Sequence, residues 1–361
     1  MLHIEKLHLD ADRRVIIVSD IHGSKELFKR LLEKVAYTTE DYLFIDGDLC
    51  EKGPNSLETV RYVQELERAS DRVFTTQGNC DILFQHVFEG NEGIQNYMAN
   101  QPHSILHEML HHHQKRMEDF STLEELGEFY RKHFSSELDW LGSRPVAYET
   151  DAFIIVHAGI ENRPDWENTS KQSALAMPSF YEQGHQADKP VIVGHWPAVN
   201  YTADKISSNN PIIDMDKRIV TMDGGNQIKR DGQLNAVIYE NDRFSFTYVD
   251  NLYSQAVVEQ THKDTTGCTG TVTYPNYEFK FLQEDSYFTL CENKNLGVKQ
   301  WVKNEYLNHS GRETRSKSDV SSTFLSVKEG DVISIINADC DGYVLIKNKQ
   351  GQVGWIPKAC I

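Results

Sequence analysis

Val15-Ile-Ile-Val-Ser-Asp-Ile-His-Gly23 and Tyr42-Leu-Phe-Ile-Asp-Gly-Asp-Leu-Cys-Glu-Lys-Gly53 decide the fold of this chain. Each opens as a short run of β-branched and aromatic residues, the pattern of a strand buried on both faces. Each then breaks into Asp, His and Gly. The same grammar returns three times: Val73–Thr76 runs into Gln77-Gly-Asn-Cys-Asp81, Phe153–Val156 into His157-Ala-Gly159, and Val191–Val193 into Gly194-His-Trp-Pro197. Between the first two runs, Leu27, Phe28, Leu31, Leu32 and Val35 recur at helical spacing, and Leu57–Leu66 does the same before the third. Strands alternating with amphipathic helices predict an α/β fold. Ligands bind at the carboxyl ends of strands in such folds, so the five polar clusters are expected to converge on one edge.

The rest of the chain bounds the function. Its 361 residues exceed what one core of about 250–300 residues holds, which leaves room for a smaller second domain. With 54 acidic against 37 basic residues the net charge is −17, which argues against nucleic acid or an anionic membrane as partner. No apolar run approaches the roughly 18–20 residues of a membrane span, and the amphipathic N-terminus has no signal-peptide core. Cys50, Cys80, Cys268, Cys291, Cys340 and Cys360 are scattered without a CxxC pair. They read as reduced thiols of a cytoplasmic protein.

Three regions are expected. Residues 1–255 form the catalytic domain, with a His-rich helical insertion at about 85–141. Residues 256–322 are a β-rich connecting segment or a first small β-domain, and 323–361 a second. Within the latter, Lys328-Glu-Gly-Asp331, Asn337-Ala-Asp-Cys-Asp-Gly-Tyr343 and Gly354-Trp-Ile-Pro357 resemble a bacterial SH3-type barrel. Its Tyr343 and Trp355 are candidates for a peptide-binding groove, or for plain barrel core. The polar run Asn308–Ser322 reads as a loop or linker.

Asp, Asn and His together form a mixed oxygen and nitrogen donor set that suits transition metals better than Ca²⁺. Two such ions sharing one carboxylate would lower the pKa of a shared water and stabilise in-line displacement at phosphorus. One Asp-x-His after a strand is ordinarily a capped turn, and one buried His ordinarily a hydrogen-bonded core residue. Five clusters in order at five strand ends point instead to a dinuclear centre.

At these residues the chain resembles the calcineurin-like metallophosphoesterases, in their branch of bacterial relatives of the PPP-type serine/threonine phosphatases. The family pattern G-D-x-H-G, G-D-x-x-D-R-G, G-N-H-E, H-G-G, G-H-T-P stands here as S-D-I-H-G, G-D-L-C-E-K-G, G-N-C-D, H-A-G, G-H-W-P. The resemblance implies a β-sandwich flanked by helices and two divalent ions, Mn²⁺ first, with Fe, Zn or Ni as alternatives. It implies Asp20 and His22 as ligands of one ion, Asp48 as the bridge, and Asn79, His157 and His195 as ligands of the other. The catalytic set becomes Asp48, Glu51, Cys80 and Asp81, with Lys52 and Asn79 on the substrate. The chain departs from the family at the leaving-group acid, where Cys80 replaces histidine with Glu51 as its partner, and at the phosphate clamp, where Lys52 replaces arginine. A thiol is a poor acid for an alkoxide, which leaves three readings: a histidine of the insertion, His86 or His111–His113, substitutes; the leaving group needs little protonation, as with a phenol, a nucleotide or a pyrophosphate; or alkyl phosphates turn over slowly.

The leading expectation is hydrolysis of phosphomonoesters by a bridging hydroxide, with a phosphorylated protein as substrate. The alternatives are hydrolysis of a small phosphate ester (a diadenosine polyphosphate, nucleotide or sugar phosphate), a phosphodiesterase, and an SH3-type binding or scaffold protein with vestigial catalysis.

Overall fold

The computed structural model describes residues 2–310 and 313–361, which leaves out Met1 of the N-terminal stretch and Gly311–Arg312 of the polar run. The chain divides into two compact units. The first comprises residues 1–196, 211–228 and 233–249, and the second 197–210, 229–232 and 250–361.

The first unit holds two sheets. One is built from β1 (Ile4–Leu7), β5 (Ala147–Thr150), β6 (Ile154–Val156), β7 (Val191–Val193), β9 (Ile219–Thr221) and β8 (Ile212–Asp214), in that spatial order. The other orders β11 (Arg243–Asp250), β10 (Gln233–Glu240), β2 (Val15–Val18), β3 (Tyr42–Asp46) and β4 (Val73–Thr76). Strands β2, β3 and β4 run parallel, as do β6, β7 and β9. Val15, Ile17, Phe44, Phe153, Ile155, Ile192 and Val220 fill a shared apolar core. Alternate residues Ile16, Val18, Leu43 and Ile45 face a second core, made with α1 (Lys25–Lys34) and α2 (Ser56–Ala69). Both faces of β2 and β3 are therefore dry, which is why these strands read as unbroken apolar runs. The expected α/β sandwich is present.

The insertion folds as α3 (Phe84–Phe88), α4 (Gly93–Asn100), α5 (Ile105–His112) and α6 (Leu123–Ser143), joining the core of α1 and α2 through Ile94, Met98, Leu106, Leu110 and Tyr130. Glu108 of α5 caps α2, its carboxylate accepting from the backbone N–H groups of Ser56 (2.7 Å) and Leu57 (2.8 Å).

The second unit is antiparallel β-structure. One sheet orders β16 (Lys299–Lys303), β15 (Phe288–Asn293), β14 (Glu278–Glu284), β18 (Glu313–Ser316) and β17 (Leu307–Ser310); another orders β12 (Gln255–Val257), β20 (Val332–Asn337), β21 (Tyr343–Lys347) and β22 (Val353–Pro357). The polar run expected to be a linker is thus largely strand: residues 308–310 of β17 pair antiparallel with β18, and β19 (Val320–Ser321) pairs with β13 (Thr271–Val272). Thr314 and Ser316 are buried while Glu313 and Arg315 are exposed, so period-2 alternation survives in hydroxyl residues that read as turn formers. Trp355 does not line a groove. It is fully buried among Phe288, Tyr306 and Val302, and its indole N–H donates to the carbonyl of Ser321 at 2.7 Å. No helix among the described residues is long and apolar enough to cross a membrane. Replacing Trp355 with Ala should cost the second unit about 3–5 kcal/mol in chemical denaturation; a loss below about 1 kcal/mol would mean the indole is not its core anchor.

Candidate metal centre

The five clusters meet. Asp20 and His22 follow β2, Asp48 follows β3, Asn79 and Cys80 follow β4, His157 follows β6 and His195 follows β7. Four of these residues occupy the left-handed backbone region that side chains avoid: Asp20 (φ 54°), His22 (φ 47°), Asp48 (φ 50°) and His195 (φ 63°). Such strain costs about 1–3 kcal/mol per residue and persists where surrounding contacts over-determine it. Here the backbone at each strand end turns so that the side chain points inward. Two glycines make room. A β-carbon at Gly194 would run into Asp20 and Ser19, and one at Gly78 into Asp48.

His22 presents Nδ1 to the carbonyl of Cys50 at 3.0 Å, which assigns the proton to that nitrogen. Its Nε2 is buried without a hydrogen-bond partner, 3.9 Å from both Asp20 Oδ1 and Asp48 Oδ2. His157 repeats the device. Its Nδ1 meets the carbonyl of Asp46 at 2.9 Å, and its Nε2 lies 3.3 Å from Asp48 Oδ1 and 3.3 Å from Asn79 Oδ1. Turned so that its amide satisfies its neighbours, Asn79 presents its nitrogen at that position, donating to His195 Nδ1 at 2.9 Å and to His157 Nε2 at 3.3 Å. Imidazoles whose Nδ1 is held by a backbone carbonyl and whose Nε2 is turned inward, one of them orphaned, are arranged as metal-ligating histidines are. The donor atoms of Asp48, His157 and His195 all lie within 4.8 Å of one another. The residues fit metal ions: Asp20, His22 and Asp48 offer one set of donors, Asp48, Asn79, His157 and His195 another, with Asp48 common to both.

Hydrogen bonds hold this geometry. Asp48 Oδ1 accepts from the backbone N–H of Cys80 at 2.9 Å, and the Asp20 carboxylate accepts from the backbone N–H of His195 at 3.1 Å and from the Ser19 hydroxyl. Asp81 points away from the donor cluster into its support. Its carboxylate accepts from the backbone N–H groups of Leu49 (2.8 Å), Cys50 (3.1 Å) and Gly78 (3.0 Å), tying together the loops after β3 and β4.

Burial opposes ionisation of Asp48, but the charges of His157, His22 and His195 outweigh it and hold the carboxyl below its usual range. Burial likewise disfavours charge on His157, yet Asp48, Asp20 and Asp46 raise its pKa well above that of free histidine. Burial and the neighbouring His157 push His195 down to about 4. Asp20 is raised by burial and by Asp223.

The substrate side differs from expectation. His86 is exposed and pairs with Glu89, and His111–His113 are exposed, with the His113 ring tilted against His133 and edge-on to Phe129. None of the four joins the donor cluster. The insertion instead supplies Tyr97, whose hydroxyl donates to Glu51 at 2.8 Å and whose ring centroid lies 5.7 Å from Lys52 Nζ. Glu51 is buried and raised to about 7 by that burial. Cys80 is also buried, its thiol raised by burial and by Asp48, and its sulfur lies within 4.8 Å of donor atoms of His22 and Asp48. Tyr97 carries no sequence signal of this role, because a lone tyrosine on an amphipathic helix reads as core.

A profile of the family described as Calcineurin-like phosphoesterase matches residues 13–200. This chain is a calcineurin-like phosphoesterase. A second profile, of the variant SH3 domain, matches residues 302–361 at the C-terminus. Among curated relatives, the symmetrical bis(5'-nucleosyl)-tetraphosphatase of Vibrio parahaemolyticus is 31% identical over 160 residues, covering 44% of this chain and 48% of its own length. That of Pasteurella multocida is 30% identical over 172 residues, covering 46% and 52%. The chain thus spans about half the length of these relatives. A solved structure of a candidate diadenosine tetraphosphatase covers 70% of this chain and 100% of its own at 16% identity and a TM-score of 0.48.

A cation held at this cluster would compete with a proton for the lone pair on His157 and for the Asp20 carboxylate. Mn²⁺ binding should therefore release protons, and its affinity by calorimetry should weaken at least about tenfold from pH about 8 to about 6. An affinity flat across that range would remove these groups from the ligand set.

Proposed function

We propose that the protein is a dinuclear-metal phosphohydrolase of small phosphate esters, with a dinucleoside polyphosphate as the favoured substrate. The observation that carries the metal reading is the clustering of donor atoms of Asp48, His157 and His195 within 4.8 Å of one another, beside the orphaned Nε2 of His22. Bound dications supply an activated water and charge neutralisation at phosphorus. Asp20 and His22 would hold one ion, Asn79, His157 and His195 the other, and Asp48 both, with Mn²⁺ the preferred metal. Lys52 meets substrate phosphate as a point charge. The substrate class is supported by the 30–31% identity to symmetrical bis(5'-nucleosyl)-tetraphosphatases.

A phosphoprotein substrate is the second reading, favoured by the H-A-G and G-H-W-P context of the motif. The remaining assignments are a cytoplasmic location, a catalytic region over residues 1–255, and β-rich segments over 256–322 and 323–361, the last offering a surface to a peptide ligand.

Metal-stripped protein reloaded with Mn²⁺ should be assayed on an aryl phosphate, an aryl phosphodiester, a phosphoserine peptide and diadenosine tetraphosphate. The proposal expects kcat/KM for diadenosine tetraphosphate to exceed that for the peptide by about tenfold or more. The opposite ranking would establish the phosphoprotein reading, and absence of turnover on all four would contradict both.

A further inference from the structure

Glu51 and Lys52 are consecutive residues in the left-handed region, φ 71° and 67°. Non-glycine residues stay there only when neighbouring contacts over-determine them. For Glu51 those contacts come largely from the insertion. Its Oε1 accepts from the Ser104 hydroxyl (2.9 Å) and the Ile105 N–H (3.0 Å) at the start of α5, and its Oε2 accepts from the Tyr97 hydroxyl (2.8 Å) of α4. Both carboxylate oxygens are thus occupied, and the side chain is fully buried. The same tyrosine faces Lys52, whose ammonium lies 5.7 Å from the ring centroid, within cation–π range. One side chain of the insertion therefore contacts both residues of a strained pair that follows Asp48 by three and four positions in sequence. The charge of Glu51 is in turn felt at Cys80, beside Asn79.

We propose that Tyr97 is a positioning residue through which the helical insertion sets the substrate side of the site, its hydroxyl orienting Glu51 and its ring orienting Lys52. This rests on phosphoester hydrolysis at the Asp48 centre. The two halves of the side chain make separable contributions. The hydroxyl fixes the Glu51 carboxyl, which acts on the leaving-group end, where Cys80 is a weak proton donor. The ring fixes a flexible lysine, which acts on phosphate affinity.

The test compares wild type, Tyr97→Phe and Tyr97→Leu, all loaded with Mn²⁺. An aryl phosphate and an alkyl phosphate share the phosphoryl group and differ in leaving-group basicity. Tyr97→Phe should lower kcat on the alkyl phosphate about tenfold while changing the aryl phosphate less than about threefold. Tyr97→Leu should in addition weaken binding of inorganic phosphate in calorimetry by about fivefold. Metal content should match wild type in both. Equal losses on both substrates, tracking a drop in melting temperature or metal content, would reduce Tyr97 to a structural contact and overturn the proposal. So would unchanged kinetics and phosphate affinity. If wild type itself turns over neither substrate, the hydrolase reading fails rather than the role of Tyr97 alone.

Discussion

The site depends on burying one carboxylate, Asp48, against the imidazoles of His22, His157 and His195. An isolated charge in such surroundings is strongly disfavoured. Asp48 is retained through the backbone N–H of Cys80 and the imidazoles of His157 and His22. Much around it serves that arrangement. The carbonyls of Cys50 and Asp46 fix the two imidazoles in the form that turns Nε2 inward, and Asp81 binds together the two loops that carry Asp48 and Asn79.

The sandwich explains how such a site can be built. Parallel strands end together, and two parallel sets, β2–β4 and β6–β7, bring five loop starts to one place. The dry cores on both faces of β2 and β3 hold the strand ends rigid enough to sustain left-handed backbone at four donors and at the Glu51–Lys52 pair. Local strain is tolerated because packing elsewhere is tight. The insertion adds a second constraint, gripping Glu51 from α4 and α5 while Glu108 caps α2 in return.

The convergence of these side chains is legible in the sequence because their signal is repeated. Each follows an apolar run whose burial is encoded over four or five residues, so errors at single positions do not matter. Long helices such as α1 and α2 were legible for the same reason. What stayed hidden depends on contacts between distant residues. Tyr97 reaches Glu51 across 46 positions, and no local pattern marks it. The His111–His113 run reads as solvated surface, since consecutive residues of a helix point in different directions, and all three are exposed. β18 was missed because Thr and Ser, buried on one face, carry an alternation that hydropathy does not register. Trp355 could have been groove or core from its motif, and only the depth of the second unit's packing decides for core.

In the proposed centre one carboxylate, Asp48, is shared by two ions. Metal content of purified wild type and Asp48→Asn, measured by elemental analysis after equilibration with Mn²⁺, tests it directly. About two ions per wild-type chain are expected, with joint loss of both in the variant, since each would lose its common ligand. A variant that keeps one ion at full affinity, or a wild type that binds only one, would contradict it.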